Sequence, residues 1–147
     1  MDTMRMESGF LHWGHDISPE ENQYEAGLQF AISYKKNIDF IGKEALLKIK
    51  DKKISKKLLM FTLEESKPGY PLLLHDEPIY FNDKIIGRTT SGNYSFNFKK
   101  NLTFGYVKLD NPIETLIGKN LFIEVEKTKY PAKLIIEPLN NKNLRDI

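Results

Sequence analysis

Two histidines, a tryptophan and an aspartate crowd into His12-Trp13-Gly14-His15-Asp16-Ile17, and imidazoles beside a carboxylate are donor chemistry for a zinc-like cation. Ligands this close in an irregular segment need the backbone to wrap around the ion, and nothing in the flanking residues requires that path. The less demanding reading is a loop in which Trp13 buries apolar area and Asp16 accepts from backbone amides, so no metal site is assigned. His75 and several serines are present, but no strand-turn-helix signal presents a serine as an exposed nucleophile. Gly87-Arg88-Thr89-Thr90-Ser91-Gly92 lacks the lysine and the following helix of a phosphate-binding loop and reads as a strand end leading into a bend. Aromatic and cationic residues mix in Tyr94-Ser95-Phe96-Asn97-Phe98-Lys99-Lys100, a pattern able to stack single-stranded nucleic acid. The same spacing makes Phe96 and Phe98 strand neighbours that would lie against a core. No residue is assigned a catalytic role.

Bulk composition narrows the partners. Of 147 residues, 22 are basic and 20 acidic, so a net charge of +2 gives no field to draw the whole molecule to nucleic acid or an anionic membrane. The 40% hydrophobic and 29% charged content is that of a packed globular chain. Cysteine is absent, which removes disulfides and thiolate chemistry and fits a reducing compartment: cytoplasm, or the mitochondrial matrix in a eukaryote. Asp2, Arg5 and Glu7 interrupt the first ten residues, unlike the apolar core of a secretory signal. The longest apolar runs fall far short of the roughly 20 residues that span a bilayer, so no membrane partner is expected.

The elements that must position these residues fall into two textures. In 28–34, Leu28, Phe30, Ile32 and Tyr34 recur every second residue, which predicts a strand. Asp39 is a candidate N-cap for a helix over 40–50, whose Phe40, Ile41, Ala45, Leu46 and Ile49 would face the interior. The lysine-rich exit at 51–57 is the best domain boundary, because few of its groups can be buried cheaply. Beyond it come short β-like runs at 58–63, 79–81, 85–87, 102–109, 121–125 and 132–136, with turn signals at Pro68-Gly69 and Asn82-Asp83. Six or so strands without a long helix predict a small antiparallel barrel or sandwich.

Read in order, Arg5-Met6-Glu7-Ser8-Gly9, Trp13-Gly14-His15-Asp16-Ile17, Tyr24-Glu25-Ala26-Gly27-Leu28-Gln29-Phe30 and Asp39-Phe40-Ile41-Gly42-Lys43-Glu44-Ala45-Leu46 resemble the end of the folate-binding region of the glycine-cleavage T-protein family. That family includes the aminomethyltransferases and the folate-binding halves of dimethylglycine and sarcosine dehydrogenases, and the Trp-Gly-His-Asp-Ile form leans toward the dehydrogenases. Glu77-Pro78-Ile79-Tyr80, Ile86-Gly87-Arg88-Thr89-Thr90-Ser91-Gly92 and Leu102-Thr103-Phe104-Gly105-Tyr106-Val107 are similar to the family's carboxy-terminal barrel.

The resemblance implies an α+β remnant over 1–52, the tail of a folate-binding aminomethyltransferase domain, followed by a mainly antiparallel β-barrel over 53–147. It implies tetrahydrofolate as the cofactor of the complete protein, accepting a one-carbon unit from an aminomethyl donor: a lipoyl carrier protein or a methylated glycine. The family's catalytic aspartate and pterin-holding glutamate lie in an amino-terminal portion outside the matched stretch, so this chain alone is expected to be weak or inert. That missing region would act as a partner if supplied as a separate chain. The family's folate-carboxylate arginine would fall at Met1, and a family tyrosine has no counterpart in 140–147. Phe30 falls where the family places an aromatic close to the folate, although its periodicity equally permits a core role. Arg5, Glu7 and Asp16 are expected to be structural: Arg5 and Glu7 in ion pairs or backbone contacts at the domain junction, Asp16 as a cap. The competing function is a non-catalytic β-barrel module or subunit that binds folate or single-stranded nucleic acid.

Overall fold

The computed structural model describes residues 2–36, 38–109 and 113–136. Helix α1 (Asp2–Glu7), a three-residue 3-10 turn (Gln29–Ala31) and helix α2 (Lys43–Lys50) precede six strands: β1 (Lys56–Leu63), β2 (Pro78–Phe81), β3 (Lys84–Ser95), β4 (Lys100–Lys108), β5 (Leu121–Val125) and β6 (Thr128–Ile135). All neighbours are antiparallel, and the sheet closes in the order β1-β4-β3-β2-β5-β6. Closure pairs every strand on both sides and leaves no sheet edge. The predicted hairpin at Asn82-Asp83 is present, both residues adopting the positive φ that a tight two-residue turn demands.

Strand β1 explains why its sequence reads as a continuous apolar run. Phe61 and Leu63 point into the barrel with Ile79, Val107, Leu121 and Ile123, while Leu58 and Met60 point outward onto Met6 of α1 and Leu102 and Phe104 of β4. A strand covered on both faces has no polar alternation to show. Met6 is fully buried, so α1 is fastened to the barrel wall by apolar contact as well as by the polar contacts described below.

Several local expectations are corrected. Residues 28–34 do not form a strand: Gly27 turns the chain at φ +74°, the 3-10 turn follows, and the closed barrel offers no edge on which a seventh strand could pair. Helix α2 starts at Lys43, after Gly42 at φ +90°, rather than at Asp39, whose carboxylate accepts from the adjacent Phe40 amide and from no other backbone donor among the described residues. None of its residues is buried; Leu47 within it and Ile38, Phe40 and Ile41 just before it are exposed. Trp13 is also exposed, in a tight loop closed by the His12 amide on Asp16 Oδ2 and the Gly14 amide on the Ile17 carbonyl. Phe96 lies exposed in the turn between β3 and β4, its ring edge-on to Tyr94 at 5.1 Å, rather than against a core. Met1 and 140–147, where the resemblance departs from the family pattern, lie outside the described residues.

Candidate functional site

Residues 2–30 lie along the outer wall of the barrel and meet it in a polar seam and an apolar cleft. The polar seam begins with Arg5, which α1 aims at the loop that follows it. Its Nη1 donates to Asp16 Oδ2 at 2.7 Å and to the Phe10 carbonyl at 3.0 Å, its Nη2 to Ser91 Oγ at 3.0 Å, and its Nε to Asp2 at 3.1 Å. The Asp16 side chain is wholly buried and also accepts from the His12 amide at 2.9 Å and from Thr90 Oγ1 at 2.6 Å. A buried carboxylate with a guanidinium and two further donors has its desolvation well compensated. Glu7, likewise buried, accepts from Ser95 Oγ at 2.5 Å and from Asn97 Nδ2 at 2.8 Å, which ties α1 to the β3–β4 turn.

Farther along the seam, Lys56 Nζ donates to Glu21 at 2.6 Å and lies over the Tyr106 ring at 4.8 Å. Partial burial pushes the Glu21 carboxyl up, but the Lys56 ammonium and the Ser18 hydroxyl outweigh it and hold the group below the usual carboxylate range. The Leu58 amide donates to the Glu25 carbonyl at 2.8 Å. Tyr106 OH is buried and makes no hydrogen bond among the described residues; burial, together with the charges of Glu21, Glu25 and Asp16, pushes its phenol well above the usual range. A buried hydroxyl without a partner costs about 1–3 kcal/mol. Tyr106→Phe is therefore expected to leave the chain as stable or up to about 1 kcal/mol more stable, read as an unchanged or higher urea midpoint. A clear loss of stability in that variant would show that the hydroxyl has a partner.

The apolar cleft, about 720 Å³, opens between residues 8–30 and the barrel wall. Phe10, Leu11 and Leu28 line one side and Leu58, Met60 and Ile135 the other, with Phe30 at its lip, 82% exposed. Phe30 is thus neither in a strand nor in a core. The cleft suits an aromatic or aliphatic body, and among the described residues Lys57 is the one formally charged member of its lining. Among the described residues, its lining contains no carboxylate.

On the opposite flank, His12 and His15 stack at 4.6 Å, and together with His75 they line a shallow hollow of about 210 Å³ that Asp2 and Arg5 also border. Among the described residues, no three His, Cys, Asp or Glu side chains are placed to hold a metal ion. The structure brings Arg5 and Asp16 together, sets Glu7 two residues farther along α1 with its own partners Ser95 and Asn97, and leaves Phe30 apart at the cleft. Sequence reasoning missed Thr90, Ser91, Lys56 and Tyr106, whose partners lie far away in the chain. No helix among the described residues is long and apolar enough to cross a membrane.

A closed six-stranded antiparallel barrel with a helical lead-in docked on its wall defines the class of fold. Residues 56–140 match the glycine cleavage T-protein C-terminal barrel domain, and the chain belongs to that family. It is 37% identical over 142 residues to the mitochondrial dimethylglycine dehydrogenase of Homo sapiens, a match covering 95% of this chain and 15% of that protein. An aminomethyltransferase of Listeria welshimeri is 38% identical over 137 residues, covering 93% of this chain and 36% of the relative. The crystal structure of glycine cleavage system aminomethyltransferase T from Bartonella henselae superposes with a TM-score of 0.78 at 24% identity, over 94% of this chain and 37% of that one, a likeness of fold. The chain therefore spans between about one seventh and just over one third of the proteins it matches.

Proposed function

We propose that this chain is the carboxy-terminal portion of a tetrahydrofolate-dependent one-carbon transferase, either an aminomethyltransferase or the equivalent part of a demethylating dehydrogenase. The observation that carries the reading is the apolar surface left uncovered in the lead-in beside a barrel whose interior is filled. The barrel is closed and its interior filled, whereas Met4, Phe10, Trp13, Phe30, Ile38 and Ile41 in the lead-in are exposed, as expected of one part of a larger domain whose remainder covers them. The relatives are longer than this chain, which covers 15% of one and 36% of the other.

On this reading residues 1–52 are the tail of a folate-binding domain and 53–147 the barrel. Phe30 supplies an aromatic face to the folate, and the cleft beside it accepts the apolar part of the ligand. The residues present fit that part and not the ring amines, so the groups that activate the folate belong to the region amino-terminal to this chain in its relatives. Bound tetrahydrofolate would supply the nitrogen that accepts the one-carbon unit, and the donor would be a lipoyl carrier protein or a methylated glycine. Arg5, Glu7 and Asp16 are structural, holding the lead-in to the barrel. The compartment would be the cytoplasm or the mitochondrial matrix.

The test is the intact mass of the native polypeptide in its source cells, read by mass spectrometry of peptides from the barrel half, followed by tetrahydrofolate titration of the purified native species. A mass well above 17.1 kDa, with folate binding weakened about tenfold or more by Phe30→Ala, is expected; removing an aromatic contact of this kind costs on the order of 1–3 kcal/mol. A native 17.1 kDa polypeptide that binds no folate, alone or with the chains that copurify with it, overturns the proposal.

A further inference from the structure

Strand β3 pairs with β4 as Thr89↔Gly105 and then Ser91↔Phe104, so Thr90 is an extra residue, a bulge. In an unbroken strand, residues 90 and 91 would face opposite sides of the sheet. Here both reach one target: Thr90 Oγ1 donates to Asp16 Oδ1 at 2.6 Å and Ser91 Oγ accepts from Arg5 Nη2 at 3.0 Å, each from within the same buried ion pair. A bulge re-aims a side chain in this way. The Ser91 carbonyl accepts from Thr103 Oγ1 at 2.7 Å, which braces the bulged strand against β4.

We infer that the β3 bulge is a clamp: it turns two consecutive barrel residues onto the Arg5–Asp16 pair, and Thr90 and Ser91 act as positioning residues that fix the lead-in on the barrel. The pair could satisfy itself locally, since Arg5, Asp16, the His12 amide and the Phe10 carbonyl all belong to residues 5–16. What the bulge adds is register between two segments more than 70 residues apart in sequence. Away from this point the same seam gapes into the apolar cleft, so the clamp also sets where one wall of the cleft stands relative to the other. The inference needs only the fold and goes beyond the folate reading, and its test uses no folate.

The experiment is native-state hydrogen exchange on the full chain, comparing wild type with Thr90→Val, Ser91→Ala and Thr90→Ser. Loss of a hydrogen bond to a charged group is worth about tenfold or more in a local equilibrium. The expected result is that Thr90→Val and Ser91→Ala speed exchange of the His12 and Phe10 amides about tenfold, that β1, β5 and β6 amides keep their protection, and that Thr90→Ser restores the wild-type rates. Three results overturn the clamp: unchanged His12 and Phe10 rates in both disrupting variants, equal loss of protection in lead-in and barrel, or failure of Thr90→Ser to rescue.

Discussion

Arg5→Ala is expected to remove about 3–5 kcal/mol of the free energy that holds residues 2–17 on the barrel, because it strands the buried Asp16 carboxylate without a cation. The remaining donors to that carboxylate, the Thr90 hydroxyl and the His12 amide, are neutral and cannot replace a charge–charge attraction inside the protein. Arg5→Lys should fall between wild type and Ala: a single ammonium keeps the charge, but it cannot reach the Asp16 carboxylate, the Phe10 carbonyl and Ser91 in three directions at once. Exchange of the Phe10 amide, which donates to the Arg5 carbonyl at 2.8 Å, reports the loss directly. An acceleration below about tenfold in Arg5→Ala, equivalent to about 1.4 kcal/mol, would contradict the assigned weight of the pair.

Gly87→Ala acts on the barrel itself and is expected to cost about 3 kcal/mol. Gly87 faces Val107 across the β3–β4 ladder, and a methyl group there would overlap the Tyr106 carbonyl oxygen and stand 3.1 Å from the Val107 Cα. Both obstacles are backbone atoms of the paired strand, so relief requires β3 and β4 to separate rather than a side chain to rotate. Because this seam is central to a closed sheet, the strain should appear in global unfolding, as a lower urea midpoint with little change in slope. A midpoint indistinguishable from wild type would mean that the two strands can part locally at no cost.

Much of the barrel was legible because its signals are short-range. Turn residues punctuate apolar runs, and β5 coincides with the predicted 121–125 while β4 lies within a residue or two of 102–109. What failed was inference about partners. The alternation of Leu28, Phe30, Ile32 and Tyr34 describes a sided surface, yet a strand also needs a free edge to pair with, and closure removed every edge. The apolar spacing of α2 was read correctly as helical, but the side those residues face has no cover among the described residues. At the seam, sequence order and family resemblance singled out Arg5 and Asp16, while Thr90 and Ser91 stayed hidden in a stretch read as a strand end. A bulge is a mismatch between two strands, and neither strand carries the mismatch in its own sequence.

The pairing of the first strand with the last has a mechanical side. Met60 lies opposite Ile135, so the chain enters the barrel at Lys56 and leaves it at Ile135 on the same rim, with the two strands antiparallel. Tension applied between those two points would load the β1–β6 ladder one hydrogen bond at a time, as in peeling, rather than loading all of its bonds together as in shear. The barrel should therefore yield at low force when pulled from that rim, and its resistance should rise if the attachment of β6 is moved to the hairpin at the opposite end.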